Sequence, residues 1–267
     1  MAPVACPLCG GAEHELVFTY TERPKRETDF GIAPEDYHRE FWRCSECGLM
    51  TGEMDLDPAS LYEGGYVDAT YTGNGLAETY ERIMALPPES SDNVQRVRRI
   101  AEELGGGSEG RTVLDVGSGL GVFPARMKDA GWRCTALDPD PRAVAHLRDE
   151  VGVEAVRADF MEAEDLGSFS LVTLNKVLEH VPDPVGMLRR CHSFLEPGGT
   201  AYVEVPDGEA AAADPDGQDR EEFFIEHLWA FSPRSLELLA EHAGFATDRV
   251  ERLREPSDKY TLYAFLS

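Results

Sequence analysis

The spacing of apolar positions divides the chain near residue 92. From Asn93 onward, short apolar runs alternate with stretches of helical period, the pattern of a parallel sheet covered by helices on both faces. Val94, Val97, Ile100, Ala101 and Leu104 fall on one helical stripe, and the glycines of GGGSEG end that helix. RTVLDVG then reads as a buried strand and FPARMKDAG as the following helix. WRCTALD, VEAVRADF and SLVTLNKVLEHV continue as the second, third and fourth strands, with PRAVAHLRDEVG a helix between the first two of these. DPVGMLRRCHSFLEPGG reads as a helix with a glycine stop, and TAYVEVPD as the fifth strand. SPRSLELLAEHAGF is a further helix, with Ser232 as N-cap and Pro233 in its first turn. TDRVERL and YTLYAFLS supply two last strands as a hairpin, which predicts an antiparallel strand at the sheet edge.

Earlier residues follow another pattern. Residues 1–52 hold two β-like runs, HELVFTY and HREFWRC, together with two cysteine pairs. Residues 53–92 are rich in Gly, Tyr and Pro, with one helical stretch at LAETYERIMAL, and read as a linker with a partly ordered lid. The expected organisation is a cysteine module over 1–52, a linker or lid over 53–92 and an α/β domain over 93–267.

Composition narrows the setting. A chain of 267 residues with 42% hydrophobic positions can bury one full α/β core and carry a small appendage. No stretch approaches the roughly 18 apolar residues of a membrane span. The first residues, MAPVACPLCGG, lack the charged and apolar regions of a secretory signal, so the expected setting is cytoplasmic. Fifty acidic residues against 25 basic ones give a net charge of −25. Such a surface repels nucleic acid and anionic membranes, so neither is an expected partner. It also fits a salt-adapted, halophilic protein as well as a merely acidic one. Oligomeric state is left open.

Six cysteines divide four and two. Cys6-Pro-Leu-Cys9 and Cys44-Ser-Glu-Cys47 form two CxxC knuckles, each followed by a glycine (Gly10, Gly48) that permits a tight turn. Two such knuckles deliver four thiolates to one tetrahedral zinc ion, and a full thiolate shell makes that zinc structural. Cys134 and Cys191 stand alone in apolar contexts and read as small core residues. Residues 1–50 contain nine acidic and five basic residues, so this zinc-ribbon-like module carries no electrostatic footprint for RNA.

Candidate chemistry centres on Val113-Leu114-Asp115-Val116-Gly117-Ser118-Gly119-Leu120-Gly121. An apolar strand runs directly into glycines that let the backbone pass close to a ligand, and the next helix presents its N-terminus there. The spacing is GxGxG, not the GxGxxG of a dinucleotide site. Asp115 before the loop would repel a pyrophosphate and attract a cationic ligand. Asp138 ends the second strand, where a carboxylate accepts hydrogen bonds from ribose hydroxyls. Asp159-Phe160 closes the third, offering an acceptor for an exocyclic amine and a ring for a purine face.

VLDVGSGLG, ALDPD, ADF, LNKVLEHVPDP and LEPGG, in that order, resemble the class I methyltransferases over residues 93–267. The resemblance implies a Rossmann-like, seven-stranded, mostly parallel sheet with an antiparallel terminal strand, binding S-adenosylmethionine. It places Gly117, Ser118 and Gly119 near the methionine moiety, Asp138 at the ribose, Asp159 and Phe160 at the adenine, and Asn175 beside the methyl end. The cysteine module and tyrosine-rich segment before such a domain resemble a narrower group, the sugar C-methyltransferases acting on nucleotide-linked deoxysugars and their natural-product relatives. Glu226-His227 in FFIEHLWAFSPRSL matches that group's Glu-His pair, and Tyr71 part of its tyrosine stretch. Phe224 stands where the group has tyrosine, and no counterpart of its further C-terminal domain precedes Ser267.

Methyl transfer from a sulfonium is an in-line displacement, so a base is needed only where the acceptor must lose a proton. His227 with Glu226 is the first candidate and His180 the second; Tyr66 and Tyr71 are candidates to close over a substrate. His146 and His242 read as surface residues. The expected function is methyl transfer to a small molecule such as a sugar nucleotide or natural-product intermediate. An RNA or protein methyltransferase and a non-catalytic cofactor-binding scaffold are the alternatives.

Overall fold

The computed structural model describes residues 3–54 and 75–267. In the N-terminal region, β1 (His14–Tyr20), β2 (Arg39–Cys44) and β3 (Met50–Met54) form an antiparallel meander. Two helices follow, α1 (Gly75–Met84) and α2 (Asp92–Glu103). Ser91 Oγ caps α2 by accepting from Val94 N at 3.4 Å. The strand–helix alternation then begins: β4 (Thr112–Val116), α3 (Val122–Asp129), β5 (Arg133–Asp138), α4 (Pro141–His146), β6 (Glu154–Arg157), β7 (Phe169–Asn175), α5 (Pro184–Arg190) and β8 (Leu195–Pro206). The last part carries α6 (Gly208–Ala212), β9 (Trp229–Ala230), α7 (Pro233–Ala243), β10 (Thr247–Arg254) and β11 (Tyr260–Leu266). At α7 the expected start is present, with Ser232 and Ser235 forming a reciprocal capping box and Pro233 in the first turn.

Seven strands form one sheet in the order β10-β11-β8-β7-β4-β5-β6. β4 to β8 are parallel, and β11 runs antiparallel to both β8 and β10. This is the Rossmann-like sheet expected, with one correction: the antiparallel strand is not at the edge, because β11 inserts between β8 and β10. The region after β7 also differs. Its helix stops at Arg190, a short turn spans Cys191–Ser193, and the LEPGG tract already belongs to β8. A tract with proline and two glycines cannot extend a helix but can enter a strand through a bend.

Alternation along buried strands sends side chains to two cores. Leu114, Val116, Val172, Leu174, Val203 and Val205 face one side, against α5 and α7. Val113, Ala136, Leu171, Tyr202 and Phe265 face the other, against α2, α3 and α4. His146 belongs to this second side, not to the surface: it is 7% exposed, and its Nε2 lies 3.1 Å from Leu120 O. Cys134 and Cys191 are buried as expected.

Sequence periodicity does not reveal β9. Two residues long, it pairs antiparallel with β3, so that Met50 faces Ala230 and Thr51 faces Trp229. The N-terminal sheet therefore takes its fourth strand from beyond residue 228. Cys6, Cys44, Cys47 and Leu49 share the apolar cluster of Phe231, Leu236 and Leu239, so the cysteine module packs against α7. No helix among the described residues is long and apolar enough to cross a membrane.

Candidate active site

From β4 the chain turns through Gly117–Gly121 into α3. Gly117 has φ +70°, and a Cβ there would lie 2.9 Å from Val177 Cγ2, so this turn requires glycine. The N–H groups of Gly117 and Ser118 donate to Leu137 O at 2.8 and 3.2 Å, tying the loop to the end of β5. Ser118 Oγ turns back and donates to Asp115 O at 2.8 Å. Asp138 is buried at the end of β5; its Oδ2 accepts from Gly119 N and its Oδ1 from Asp140 N, each at 2.9 Å. Burial pushes this carboxyl above its ordinary pKa.

Asp115 lies beneath the loop, buried, and its Oδ1 accepts from Thr173 Oγ1 at 2.7 Å and Asn175 Nδ2 at 2.9 Å. Burial pushes its pKa up to about 6. Asp115 thus orients Asn175. The amide oxygen of Asn175 is buried at the carboxyl end of β7 with no hydrogen-bond partner among the described residues. Lys176 beside it takes φ +59°, a backbone that few non-glycine residues adopt and that concentrates at functional sites. Asp159 is exposed, with Oδ1 accepting from Met161 N at 2.8 Å. Phe160 departs from expectation. Its ring is 2% exposed and lies 5.4 Å from that of Phe194, so the apolar core takes it and its face is not offered to a purine.

A short turn, Leu178–His180, follows β7, and residues 221–228 pack over it. The rings of His180 and His227 meet edge to face at 4.8 Å. His180 Nδ1 lies 2.9 Å from Glu226 O, and His227 Nδ1 lies 3.0 Å from Glu222 O. Burial pushes the His180 pKa down to about 4. His227 is driven well below its ordinary value by burial first and by neighbouring His180 second. Both imidazoles are neutral near pH 7, and a neutral ring donating from Nδ1 to a carbonyl carries its lone pair on Nε2. Burial also pushes Glu226 and Glu179 up to about 7 each.

Of the three residues singled out in the sequence, the His180 and His227 side chains are brought together, and Glu226 joins them through its backbone carbonyl. Glu179, from the same LEH tract, joins them: its carboxylate and the two imidazoles place one ligand atom each within 4.8 Å of one another. Val177 links this cluster to the cofactor loop through its contact with Gly117. Tyr66 and Tyr71 lie outside the described residues. Sequence reading also missed a buried ionic network on the other side of β7. Glu204 of β8 pairs with Arg96, and with Arg99 at 2.9 Å, both from α2. Lys176 Nζ donates to Thr261 Oγ1 at 2.7 Å nearby. The only sequence signal was an acidic residue within an otherwise apolar strand, AYVEV.

The four N-terminal cysteines converge as expected. Cys6 and Cys47 Sγ are 3.5 Å apart, Cys9 and Cys44 Sγ 3.4 Å, and all four lie within 4.8 Å of one another. The two knuckles match in backbone: Gly10 N donates to Cys6 O and Gly48 N to Cys44 O, both at 2.9 Å, and both glycines have φ +75°.

Comparison with known proteins agrees with this geometry. The family model described as methyltransferase domain matches residues 84–250, more than half of the chain. Over 131 residues the chain is 37% identical to the ubiquinone biosynthesis O-methyltransferase of Pseudomonas paraeruginosa, covering 46% of this chain and 56% of that protein. Identity to the enzyme of the same name from Xanthomonas campestris pv. campestris is 40% over 101 residues, 35% of this chain and 42% of that one. The chain spans about half the length of the curated relatives it matches. Among solved structures, the 1,6-didemethyltoxoflavin-N1-methyltransferase of Burkholderia thailandensis superposes with a TM-score of 0.57 at 22% identity, covering 83% of this chain and 95% of that one. The glycopeptide N-methyltransferase MtfA complexed with S-adenosylmethionine gives a TM-score of 0.52 at 17% identity, covering 64% and 92%. These two share the fold. With the loop, the strand order and the family match in agreement, the chain belongs to the methyltransferase domain family, the class I S-adenosylmethionine-dependent methyltransferases.

Proposed function

We propose that this protein transfers a methyl group from S-adenosylmethionine to a small molecule, a sugar nucleotide or related natural-product intermediate. Two local features fit the cofactor. Gly117, where Val177 leaves no room for a Cβ, keeps the loop as bare backbone, and the orphaned Asn175 oxygen awaits a donor such as the ammonium of a methionine moiety. Asp138 is the ribose acceptor and Asp159 the adenine acceptor in this reading, with Ser118 shaping the loop through its bond to Asp115 O. When bound, S-adenosylmethionine supplies an electrophilic methyl group on a sulfonium.

The observation that carries the acceptor side is the pair of neutral, half-buried imidazoles that meet edge to face after β7. His227 Nε2 takes the proton that the acceptor loses, while the Nδ1 contact with Glu222 O keeps the ring oriented. Burial first, and then His180 packed edge-on against it, depress its basicity, so His227 stays unprotonated near pH 7. Glu226 enters this reading through its backbone carbonyl, which holds His180 Nδ1 at 2.9 Å, and Tyr71 of the tyrosine-rich segment is kept as a candidate to contact the acceptor. The acidic surface favours a small acceptor over RNA. In the cysteine module we assign one structural zinc ion to Cys6, Cys9, Cys44 and Cys47. Thiolates around tetrahedral zinc at about 2.3 Å sit roughly 3.8 Å apart, close to the spacings seen.

Incubation with labelled S-adenosylmethionine and a panel of sugar nucleotides tests the assignment. Label transfer in the wild type and its loss in His227→Ala, with cofactor binding intact, is expected. Equal transfer by His227→Ala would remove the base from this reading.

A further inference from the structure

The segment that carries Glu226 and His227 has no regular secondary structure between Phe224 and Leu228, yet its main chain is held on two sides. From the methyltransferase side, Glu179 O accepts from Leu228 N at 2.8 Å. The remaining anchors come from the N-terminal module. Gly52 N donates to Leu228 O at 2.9 Å, and a Cβ on Gly52 would lie 2.9 Å from His227 O, so β3 approaches the segment at its closest possible distance. Glu27 supplies the other anchor. Its Oε2 accepts from Ile225 N at 2.7 Å, two residues before His227.

Glu27 is itself built in. It is 3% exposed; Arg39 Nη2 donates to its Oε2 at 2.9 Å, and Tyr37 OH to its Oε1 at 2.5 Å. Arg39 Nε completes the triangle by donating to Tyr37 OH at 3.0 Å. A buried ion pair seldom repays its desolvation by attraction alone, so its presence calls for another role. Here the carboxylate spends a lone pair on the main chain of the segment that bears the proposed base. Ile225 then packs among Tyr20, Tyr37, Phe41 and Met50, which fixes the direction from which the chain enters residues 226 and 227.

We propose that Glu27, held by Tyr37 and Arg39, is a positioning residue: by fixing the main chain at Ile225 it sets the His227 imidazole against His180. The inference rests on the acceptor-side reading above and gives the N-terminal module a task besides its own fold, that of completing the wall of the methyl-transfer site.

The test uses full-length protein with its metal retained and needs no acceptor. Amide hydrogen exchange and 15N-histidine spectra are recorded for wild type, Tyr37→Phe and Glu27→Gln, each with S-adenosylmethionine titrated separately. Tyr37→Phe keeps the ring and the Glu27–Arg39 ion pair and removes the hydroxyl's bonds to Glu27 Oε1 and Arg39 Nε, a milder change than Glu27→Gln that leaves the variant folded if Glu27→Gln is not. The proposal expects exchange at the Ile225 and Leu228 amides to speed at least tenfold and the His227 ring signals to shift or broaden. Amides of the β1–β2 pairing and the cofactor affinity should stay at wild-type values. Unchanged Ile225 exchange and His227 signals in both variants overturn the positioning role, whatever the cofactor does. Failure of the wild type to bind S-adenosylmethionine overturns the proposed function, and is read independently of these signals.

Discussion

At the scale of single residues, the cofactor site depends on atoms whose placement admits few substitutes. Gly117→Ala puts a methyl group 2.9 Å from Val177 and an L-residue into left-handed backbone. We expect a loss of about 1–2 kcal/mol of stability from the backbone alone, and at least a tenfold loss of S-adenosylmethionine affinity by calorimetry. Glu179 gives a pH-dependent prediction. Its folded pKa is raised from the ordinary 4.5 to about 7 by burial, with Lys176 opposing. A raised carboxyl binds its proton more tightly when folded, so its contribution to stability is full below about pH 4.5 and lost as pH rises through about 7. Glu179→Gln removes that dependence. Denaturation midpoints should show the variant gaining on the wild type between pH 5 and pH 8; a constant difference would contradict the buried carboxyl. The residues of this site differ in how legible they were. Asp115, Asp138 and the glycines could be placed at the ends of β4 and β5 because a strand running into GxGxG has few other arrangements. The Phe160 ring could not, since nothing in ADF tells whether an aromatic residue past a strand end turns to the ligand or, as here, into the core against Phe194.

At the scale of elements, periodicity exposed the strands of the seven-stranded sheet but missed β3, whose MTGEM carries no clear apolar alternation, and β9, whose two residues carry none. That short strand decides the architecture, because through it residues 225–230 join the N-terminal sheet and the base-bearing segment comes under that sheet's control. Ser232 Oγ donates to Cys47 O at 2.5 Å, and Trp229 Nε1 to Val181 O at 2.8 Å, so the cysteine knuckle, β9 and the turn after β7 are directly connected. With the zinc proposed for the four thiolates, a chelator or Cys44→Ser should lower the melting temperature and alter Trp229 fluorescence; an unchanged spectrum would show that the knuckle does not support β9. The other element-scale device is the anchoring of α2 on β8. Burial opposes charge on Glu204, yet Arg96 and then Arg99 hold its carboxyl far below the ordinary range. Glu204→Leu leaves the buried Arg96 without its carboxylate and Arg99 with only Glu255 at 3.8 Å, and removing one partner of such a buried pair costs about 3–5 kcal/mol. Chemical denaturation should show a loss of that order, and a smaller one when Arg96→Met accompanies it.

At the scale of the whole molecule, one sheet with two apolar faces positions everything else. The β4 loop, the end of β5 and the end of β7 lie along the carboxyl edge, where open α/β sheets bind their ligands. The net charge of −25 is spread over a chain whose cofactor is cationic at sulfur. Self-repulsion at that charge is screened by salt, so the melting temperature should rise from low to molar salt; a flat response would remove the salt-adapted reading of the composition. The strand order and the cofactor edge followed from the sequence because alternating β and α patterns allow few arrangements. The fusion of the cysteine module to that edge did not, because it rests on Glu27, Gly52 and β9, contacts between residues far apart in the chain. The central claim is that this edge binds S-adenosylmethionine, and its most direct test is calorimetric titration of the metal-replete protein, in wild type and in Asp138→Ala. Micromolar binding with one site per chain, lost in the variant, is the result predicted here. No binding by the wild type, or equal binding by Asp138→Ala, would contradict it.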